Sequence, residues 1–243
     1  MKIALLADIH GNYHALEAVL ADIENERPDL TLVLGDIVFK GPEPERCLER
    51  IRGLNTVVLQ GNIDELVGKN RIQPGFAKTK EQEAALRQEM EWTRARLSEP
   101  QLAYLAELPF SHEVQVSEKL RLRCVHANPN NLLDSYLPTD DDGKLMAMFA
   151  ESSADIVAYA HIHQPFVRYL NGKALFNTGS VGLPFDGDPR ASYAMLEAEN
   201  DKFHIAIRRI GYDVERTVRA FEGSGHPFAD SVIRALRSGR RPV

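Results

Sequence analysis

Short apolar runs alternate with helical patterns over the first quarter of this 243-residue chain. Three runs, at 2–7, 30–34 and 56–59, are bounded by polar turns and predict buried strands. Between the first two runs, apolar residues recur at helical spacing from Asn12 to about Glu26. This β-α-β-α-β order predicts a parallel sheet covered by helices, which excludes an all-β or all-α fold.

The pattern changes after the third run. A polar loop is predicted from Gly68 to Lys80, followed by a charged helix over 81–97 and a short helix that ends before Pro109. We interpret about 66–109 as a helical, lid-like insertion within a single domain that spans 1–243. The rest of the chain predicts mainly strands, and two helices close it. Two sheets with helices outside each account for this order.

Composition excludes several classes of protein. The chain is 44% hydrophobic and 26% charged, which is ordinary for a globular protein, and its net charge of −6 gives no strong nucleic-acid signal. No run approaches 18 apolar residues, so we expect no membrane span. Two cysteines and an N-terminus that enters a strand directly favour the cytoplasm over a secreted framework. Homo-oligomerisation stays open.

Six short polar motifs stand at the ends of apolar runs. They supply two Asp, two Asn and four His side chains, and they are Asp8-Ile9-His10, Gly35-Asp36, Gly61-Asn62, Val125-His126, His161-Ile162-His163 and Asn177-Thr178-Gly179-Ser180. Ligands of open α/β sheets collect at the carboxyl ends of the strands. In extended backbone, residues i and i+2 point to one face, so Asp8 and His10 should both reach one ion, and His161 and His163 repeat this spacing.

Oxygen and imidazole ligands without thiolates suit divalent Mn, Fe, Ni, Co or Zn. A mixed pocket large enough for two such ions predicts metal-assisted hydrolysis. Asp8 and Asp36 could instead cap helices, but that alternative leaves the paired histidines unexplained.

The ordered motifs resemble the calcineurin-like metallophosphoesterase superfamily, whose pattern is D-x-H, G-D, G-N-H-D/E, H and G-H-x-H. The segment 177–182, with Asp188-Pro189-Arg190, is similar to the small prokaryotic phosphodiesterase-like branch. The resemblance implies two mixed β-sheets packed as a sandwich with flanking helices. It also implies two divalent metal ions. One would be held by Asp8, His10, Asp36 and His163, and the other by Asp36, Asn62, His126 and His161.

The implied reaction is hydrolysis of a phosphate ester by a hydroxide that bridges the two metals. The predicted catalytic residues are Asp36, Asn62 and His126. We predict phosphodiesters as substrates. The alternatives are a phosphomonoesterase acting on phosphoproteins or nucleotides, including dinucleoside polyphosphates, and a non-enzymatic metal-binding scaffold.

One departure from the family pattern bears on the substrate. Ile63 stands where the superfamily often has a histidine that positions phosphate or protonates the leaving group. Its absence favours substrates with good leaving groups or a substitute acid, for which His14, Glu65 and Lys69 are candidates. Asn12 is predicted either to contact phosphate or to cap a helix, and Arg190 either to bind substrate or to form a surface salt bridge.

Overall fold

The computed structural model describes residues 1–241 and contains ten strands. In chain order they are β1 Lys2–Leu6, β2 Leu30–Val33, β3 Val57–Val58, β4 Ser111–Gln115, β5 Arg121–Val125, β6 Ile156–Tyr159, β7 Phe166–Leu170, β8 Lys173–Asn177, β9 Ala191–Glu199 and β10 Lys202–Ile210. They form two five-stranded sheets, ordered β10-β9-β1-β2-β3 and β4-β5-β6-β8-β7. Each sheet contains both parallel and antiparallel pairs, so the predicted mixed sheets are confirmed.

Eight α-helices and one 3-10 helix accompany the sheets in the described residues. They are α1 Tyr13–Glu26, α2 Pro44–Arg52, α3 Asn62–Lys69, α4 Lys80–Arg94, α5 Glu99–Glu107, α6 Asp142–Met146, the 3-10 turn Ala147–Phe149, α7 Val214–Phe221 and α8 Ala229–Ser238.

The central strands are apolar on both faces, so one face of each packs against the other sheet and the opposite face packs under helices. On β1, Ile3 and Leu5 point to the other sheet and pack in a cluster with Cys124 and Phe176. Their neighbour Leu6 points the other way, into the cluster that α1 and α2 cover. Both cysteines are buried and unpaired. The parallel strands β1, β2 and β3 lie side by side, which brings their carboxyl ends to one edge.

The segment after β3 differs from the prediction. We expected a polar loop from Gly68, but α3 begins directly at Asn62 and continues to Lys69. The Asp64 side chain accepts a hydrogen bond from the N-cap Gly61 amide at 3.1 Å, which stabilises the first turn. Leu66 and Leu105 join the core that covers the first sheet, so α3 and α5 pack on the sandwich itself.

Candidate metal centre

Most of the predicted ligands lie in loops just beyond strand ends, with left-handed backbone. The φ angles are +53° for Asp8, +48° for His10, +56° for Asp36, +69° for His161 and +58° for His163. Non-glycine residues rarely adopt such angles, and they concentrate at functional sites. The expectation that extended i and i+2 geometry aligns each pair is therefore wrong. The loops turn sharply, and tertiary contacts aim the side chains.

Backbone hydrogen bonds hold the loops after β1 and β2 together. The amide of Asp8 donates to the Gly35 carbonyl at 3.0 Å, and the His10 amide donates to the Asp36 carbonyl at 3.0 Å. The Ser180 hydroxyl donates to the Asp8 carbonyl at 2.7 Å, which ties in the loop that follows β8. The first two ligand motifs are thus fixed relative to one another by main chain.

Asp64 fixes the position of Asp36. Its carboxylate accepts from the Asp36 amide at 2.7 Å and from the Ile37 amide at 3.0 Å, in addition to Gly61. The Asp36 side chain uses its own Oδ1 to accept from the Ile63 amide at 2.9 Å. Its other oxygen, Oδ2, is left facing the histidines.

Asp8, His10 and His163 form one ligand group. His10 Nε2 lies 3.1 Å from His163 Nε2, and Asp8 Oδ1 lies 3.5 Å from His163 Nε2 and 3.9 Å from His10 Nε2. All three residues are buried, and Asp8 Oδ1 makes no hydrogen bond within residues 1–241. The Asp8 oxygen and the two imidazole nitrogens converge as three donor atoms, and this set fits a divalent cation.

Asn62, His126 and His161 form the second group. Asn62 Oδ1 lies 3.0 Å from His126 Nε2 and 2.9 Å from His161 Nδ1. Asp36 Oδ2 stands between the groups, 3.5 Å from His126 Nε2 and 3.7 Å from His10 Nε2. The structure thus brings together all seven predicted metal ligands.

Main-chain carbonyls orient three of the four imidazoles. Nδ1 of His126 is 2.7 Å from the Leu34 carbonyl, and Nδ1 of His163 is 2.5 Å from the Leu183 carbonyl. These contacts place the ring proton on Nδ1, which leaves the Nε2 lone pair for the ligand group. His161 is reversed: its Nε2 is 3.1 Å from the Leu133 carbonyl, and its Nδ1 faces inward.

Burial keeps these imidazoles neutral. It lowers the pKa of His126 to about 4, and burial together with neighbouring imidazoles lowers the pKa values of His161 and His163 to about 3. The pKa of His10 is also well below its usual range, because of burial, His163 and then Lys40. Burial raises the pKa of Asp36 to about 7. Neutral imidazole is the metal-binding form, so the donor set again fits a cation.

A cavity of about 680 Å³ opens beside the ligands. Its walls carry ligand residues, cations and apolar side chains from several elements, including His10, Asp36, Lys40, Asn62, Ile63, Phe76, Lys78, Leu86, Glu89, His161, His163, Phe185, Phe228, Val232 and Arg241. This volume accommodates an ester with a sizeable organic group.

Two predicted substrate residues stand apart from this cavity. The Asn12 side chain caps α1, accepting from the Ala15 amide at 3.1 Å, and donates to the Gly182 carbonyl at 2.9 Å. Arg190 pairs with Asp188 at 2.6 Å on the surface. The structural alternative given for each residue is the one observed.

The candidate acids also lie outside the described cavity lining. His14 is 3.6 Å from Glu43, and Glu65 pairs with Lys69 at 2.8 Å. Two cavity residues that sequence reasoning missed are Lys40 and Glu89, which pair with each other at 2.7 Å. Glu89 is 2% exposed although it belongs to a helix rich in charged residues. Its burial could not be predicted because the surrounding sequence of this helix is mostly polar and charged.

The fold and the ligand set define a metal-dependent phosphoric ester hydrolase. Residues 1–201 match the family described as the calcineurin-like phosphoesterase superfamily domain, and the chain belongs to this superfamily. The predicted family is thereby confirmed.

Relatives of the chain agree with this assignment. It is 33% identical over 233 residues to an uncharacterized protein of Methanocaldococcus jannaschii, covering 88% of this chain and 89% of that one. It is 25% identical over 210 residues to phosphodiesterase YfcE of Escherichia coli K12, covering 81% and 88%. The structure of a metallophosphoesterase from Sphaerobacter thermophilus superposes with a TM-score of 0.78, at 27% identity, over 98% of this chain and 99% of that one.

None of the helices within residues 1–241 combines the length and the apolar character that a membrane crossing needs.

Proposed function

We propose that the chain is a dinuclear metal-dependent phosphoesterase that hydrolyses phosphodiesters. One observation carries the proposal: Asp36 Oδ2 stands within 3.7 Å of ring nitrogens from both ligand groups. A carboxylate shared in this way offsets the repulsion between two dications roughly 3.5–4 Å apart. Asp8, His10 and His163 would complete one ion's shell with Asp36, and Asn62, His126 and His161 the other's.

Bound dications would supply Lewis-acid activation of water and charge neutralisation at the phosphoryl oxygens. The chain's own residues set the conditions for this chemistry. Asp8 and Asp36 bring two negative charges to a centre that takes two dications, so the centre stays cationic and attracts phosphate. The carbonyls of Leu34 and Leu183 hold the His126 and His163 rings, which fixes the direction of their lone pairs.

Three features favour diesters. Ile63 cannot protonate a leaving group, and the resulting loss of rate is smallest for substrates with good leaving groups. The relative YfcE is named a phosphodiesterase. The cavity also leaves room for a second ester substituent, and we propose that the segment 66–109 covers that substituent through Phe76 and Leu86.

The cations of the cavity favour a second candidate, the hydrolysis of nucleotide-type polyphosphates. Lys40, Lys78 and Arg241 line the same space, which is more positive charge than a single diester phosphate needs. Comparing p-nitrophenyl phosphate, bis-p-nitrophenyl phosphate and a dinucleoside tetraphosphate as substrates would separate the candidates.

The test is hydrolysis of bis-p-nitrophenyl phosphate with added Mn²⁺ or Ni²⁺. Asp36→Asn and His126→Ala should each lower kcat/KM by at least about 100-fold, because each removes a ligand or displaces a metal. Exposed Asp201→Asn and His204→Ala are the matched controls and should retain activity. Undiminished activity in both site variants would refute the proposal. Less than one bound metal equivalent and no turnover would favour a scaffold.

A further inference from the structure

Lys40 is directed into the cavity by unusual backbone. It follows Asp36 by four residues, and the φ angles of Phe39 and Lys40 are +76° and +65°. Its Nζ lies 4.9 Å from the centre of the Phe39 ring, and its side chain is 37% exposed. It lines the same cavity as His10, Asp36 and Ile63. Two consecutive non-glycine residues in left-handed conformation cost conformational free energy, which suggests that the placement of Lys40 has a function.

Glu89 holds the Lys40 ammonium from within the protein. Its Oε2 accepts from Lys40 Nζ at 2.7 Å, although the Glu89 side chain is only 2% exposed. Its Oε1 lies 3.3 Å from Nε2 of His226, whose side chain is fully buried. Burial alone would raise the pKa of Glu89, but the nearby His226 and Lys40 outweigh burial and hold that pKa below its ordinary value.

This arrangement is a poor stabilising device. Placing the Glu89 carboxylate in the interior costs much of what its attraction to the half-buried Lys40 gains, because the buried charge loses its hydration. The pair instead joins three separate parts of the chain: the loop after β2, helix α4 and the segment before α8. The ring of Trp92 packs 4.5 Å from His226 and braces the same point. The result is a rigidly held cation beside the ligand groups.

We propose that Lys40 binds a phosphoryl oxygen of the substrate, in the role left unfilled by Ile63, and that Glu89 and His226 position it. This assignment rests on the proposed phosphoesterase function. An ammonium carries three donors, and Glu89 takes one of them, which leaves donors for an anion in the cavity. Lys40 then contributes substrate affinity, while Glu89 and His226 act through Lys40.

The experiment compares inorganic phosphate and bis-p-nitrophenyl phosphate as probes on the Mn²⁺-loaded, full-length protein. Lys40→Met should raise the inhibition constant for phosphate and the KM for the diester by about 10- to 100-fold, the loss of one charge-assisted hydrogen bond, with a smaller effect on kcat. Lys40→Arg should restore most of the affinity. The matched control is Lys144→Met, whose ammonium also pairs with a carboxylate at 2.7 Å but on the surface.

A second variant covers the case in which Lys40→Met fails to fold because Glu89 is left buried and unpaired. The double variant K40M/E89Q removes both charges and should show the same loss of phosphate affinity. Glu89→Gln alone keeps the lysine and should raise the KM by less than Lys40→Met does. Trp92 fluorescence reports whether each variant retains the packing around His226.

The outcomes separate this inference from the proposed function. Unchanged KM and phosphate inhibition in K40M/E89Q, with metal-dependent turnover intact, would overturn the role of Lys40 alone. A fall in kcat with unchanged KM and inhibition would also overturn it. If the wild-type protein turns over no ester, the function fails, and calorimetric titration of phosphate into the metal-loaded variants still decides whether Lys40 binds the anion.

Discussion

At the scale of single residues, the centre is defined by backbone strain. Five of the seven proposed ligands have positive φ, and such non-glycine conformations cost of order 1–3 kcal/mol each when sparsely populated. The surrounding hydrogen bonds make these conformations obligatory: Asp8 and His10 are each tied to the loop after β2. The ligands are therefore preorganised before any ion binds, and reorganisation adds little to the cost of binding.

The pKa of Asp36 leads to a prediction about metal binding. Because burial raises that pKa to about 7, the carboxyl is largely protonated at pH 6 and must lose its proton when it binds an ion. The neighbouring imidazoles, with pKa values of about 3 to 4, are already neutral at that pH. The dissociation constant for Mn²⁺ should therefore be at least about fivefold higher at pH 6 than at pH 7, where about half of the Asp36 carboxyl is already ionised.

Titration calorimetry at pH 6 and pH 8, in two buffers of different protonation enthalpy, measures both the affinity and the protons released. At pH 6, about one proton per protein should come from Asp36, which the two ions share, and Asp8, whose pKa burial also raises well above its usual range, should add to the release. Fewer protons should be released at pH 8. Equal affinities at both pH values, with no proton release, would contradict the assignment of Asp36 as a ligand that is protonated without metal.

The identities of the ligands could be predicted from sequence because motif order and strand ends are local properties. Their conformations could not. The expectation of extended geometry for Asp8 and His10 overlooked that β1 ends at Leu6 and that contacts from Gly35 and Asp36 bend the chain. Lys40 gave no signal either, since its function depends on Glu89, which is 49 residues away.

At the scale of elements, the crossing of two strand–helix loops positions the proposed bridging carboxylate. The loop after β2 carries Asp36, and Gly61, which precedes α3, passes against it. A Cβ built on Gly61 would overlap both the side chain and the amide nitrogen of Asp36. Asp64, in the first turn of α3, accepts hydrogen bonds from both loops. Helix α3, which sequence periodicity missed, is thus part of the centre.

Gly61→Ala should therefore weaken Mn²⁺ binding by at least about tenfold and lower the free energy of unfolding by about 1–3 kcal/mol, although no ligand is removed. Gly53→Ala is the matched control. It lies at the end of α2 with φ of −68°, and its Cβ would meet nothing closer than the Glu49 carbonyl at 3.4 Å. That control should be neutral or stabilise by about 0.4–1 kcal/mol. Urea unfolding and Mn²⁺ titration measure both effects, and equal behaviour of the two variants would refute the packing argument.

At the scale of the whole molecule, the sandwich supplies the ligands while segments outside it build the cavity walls. Phe76 and Leu86 come from the stretch between α3 and α5, and Phe228 and Val232 come from the start of α8 and the residue before it. The parallel strands β1 to β3 and the presence of two sheets could be predicted from the order of apolar runs, and the mixed sandwich from the family resemblance, whereas the order of the strands within each sheet could not. The meeting of α4 with the C-terminal segment did not, because it depends on tertiary contacts such as the Trp92 indole donating to the Ser224 carbonyl at 3.3 Å.

We therefore predict that residues of the cavity walls determine the preference for the organic part of the substrate, without affecting the binding of its phosphate. Phe76→Ala and Phe228→Ala each remove aromatic surface that would cover an organic ester group, and should raise the KM for bis-p-nitrophenyl phosphate about tenfold. Inhibition by inorganic phosphate, which has no such group, should change by less than about twofold, since the charge-assisted contacts remain.

Tyr169→Ala, at a residue that is 64% exposed, is the control for loss of an aromatic ring. Equal losses for the diester and for phosphate would show that the walls support the metal centre rather than the substrate. An unchanged KM in both variants would place the organic group outside this cavity.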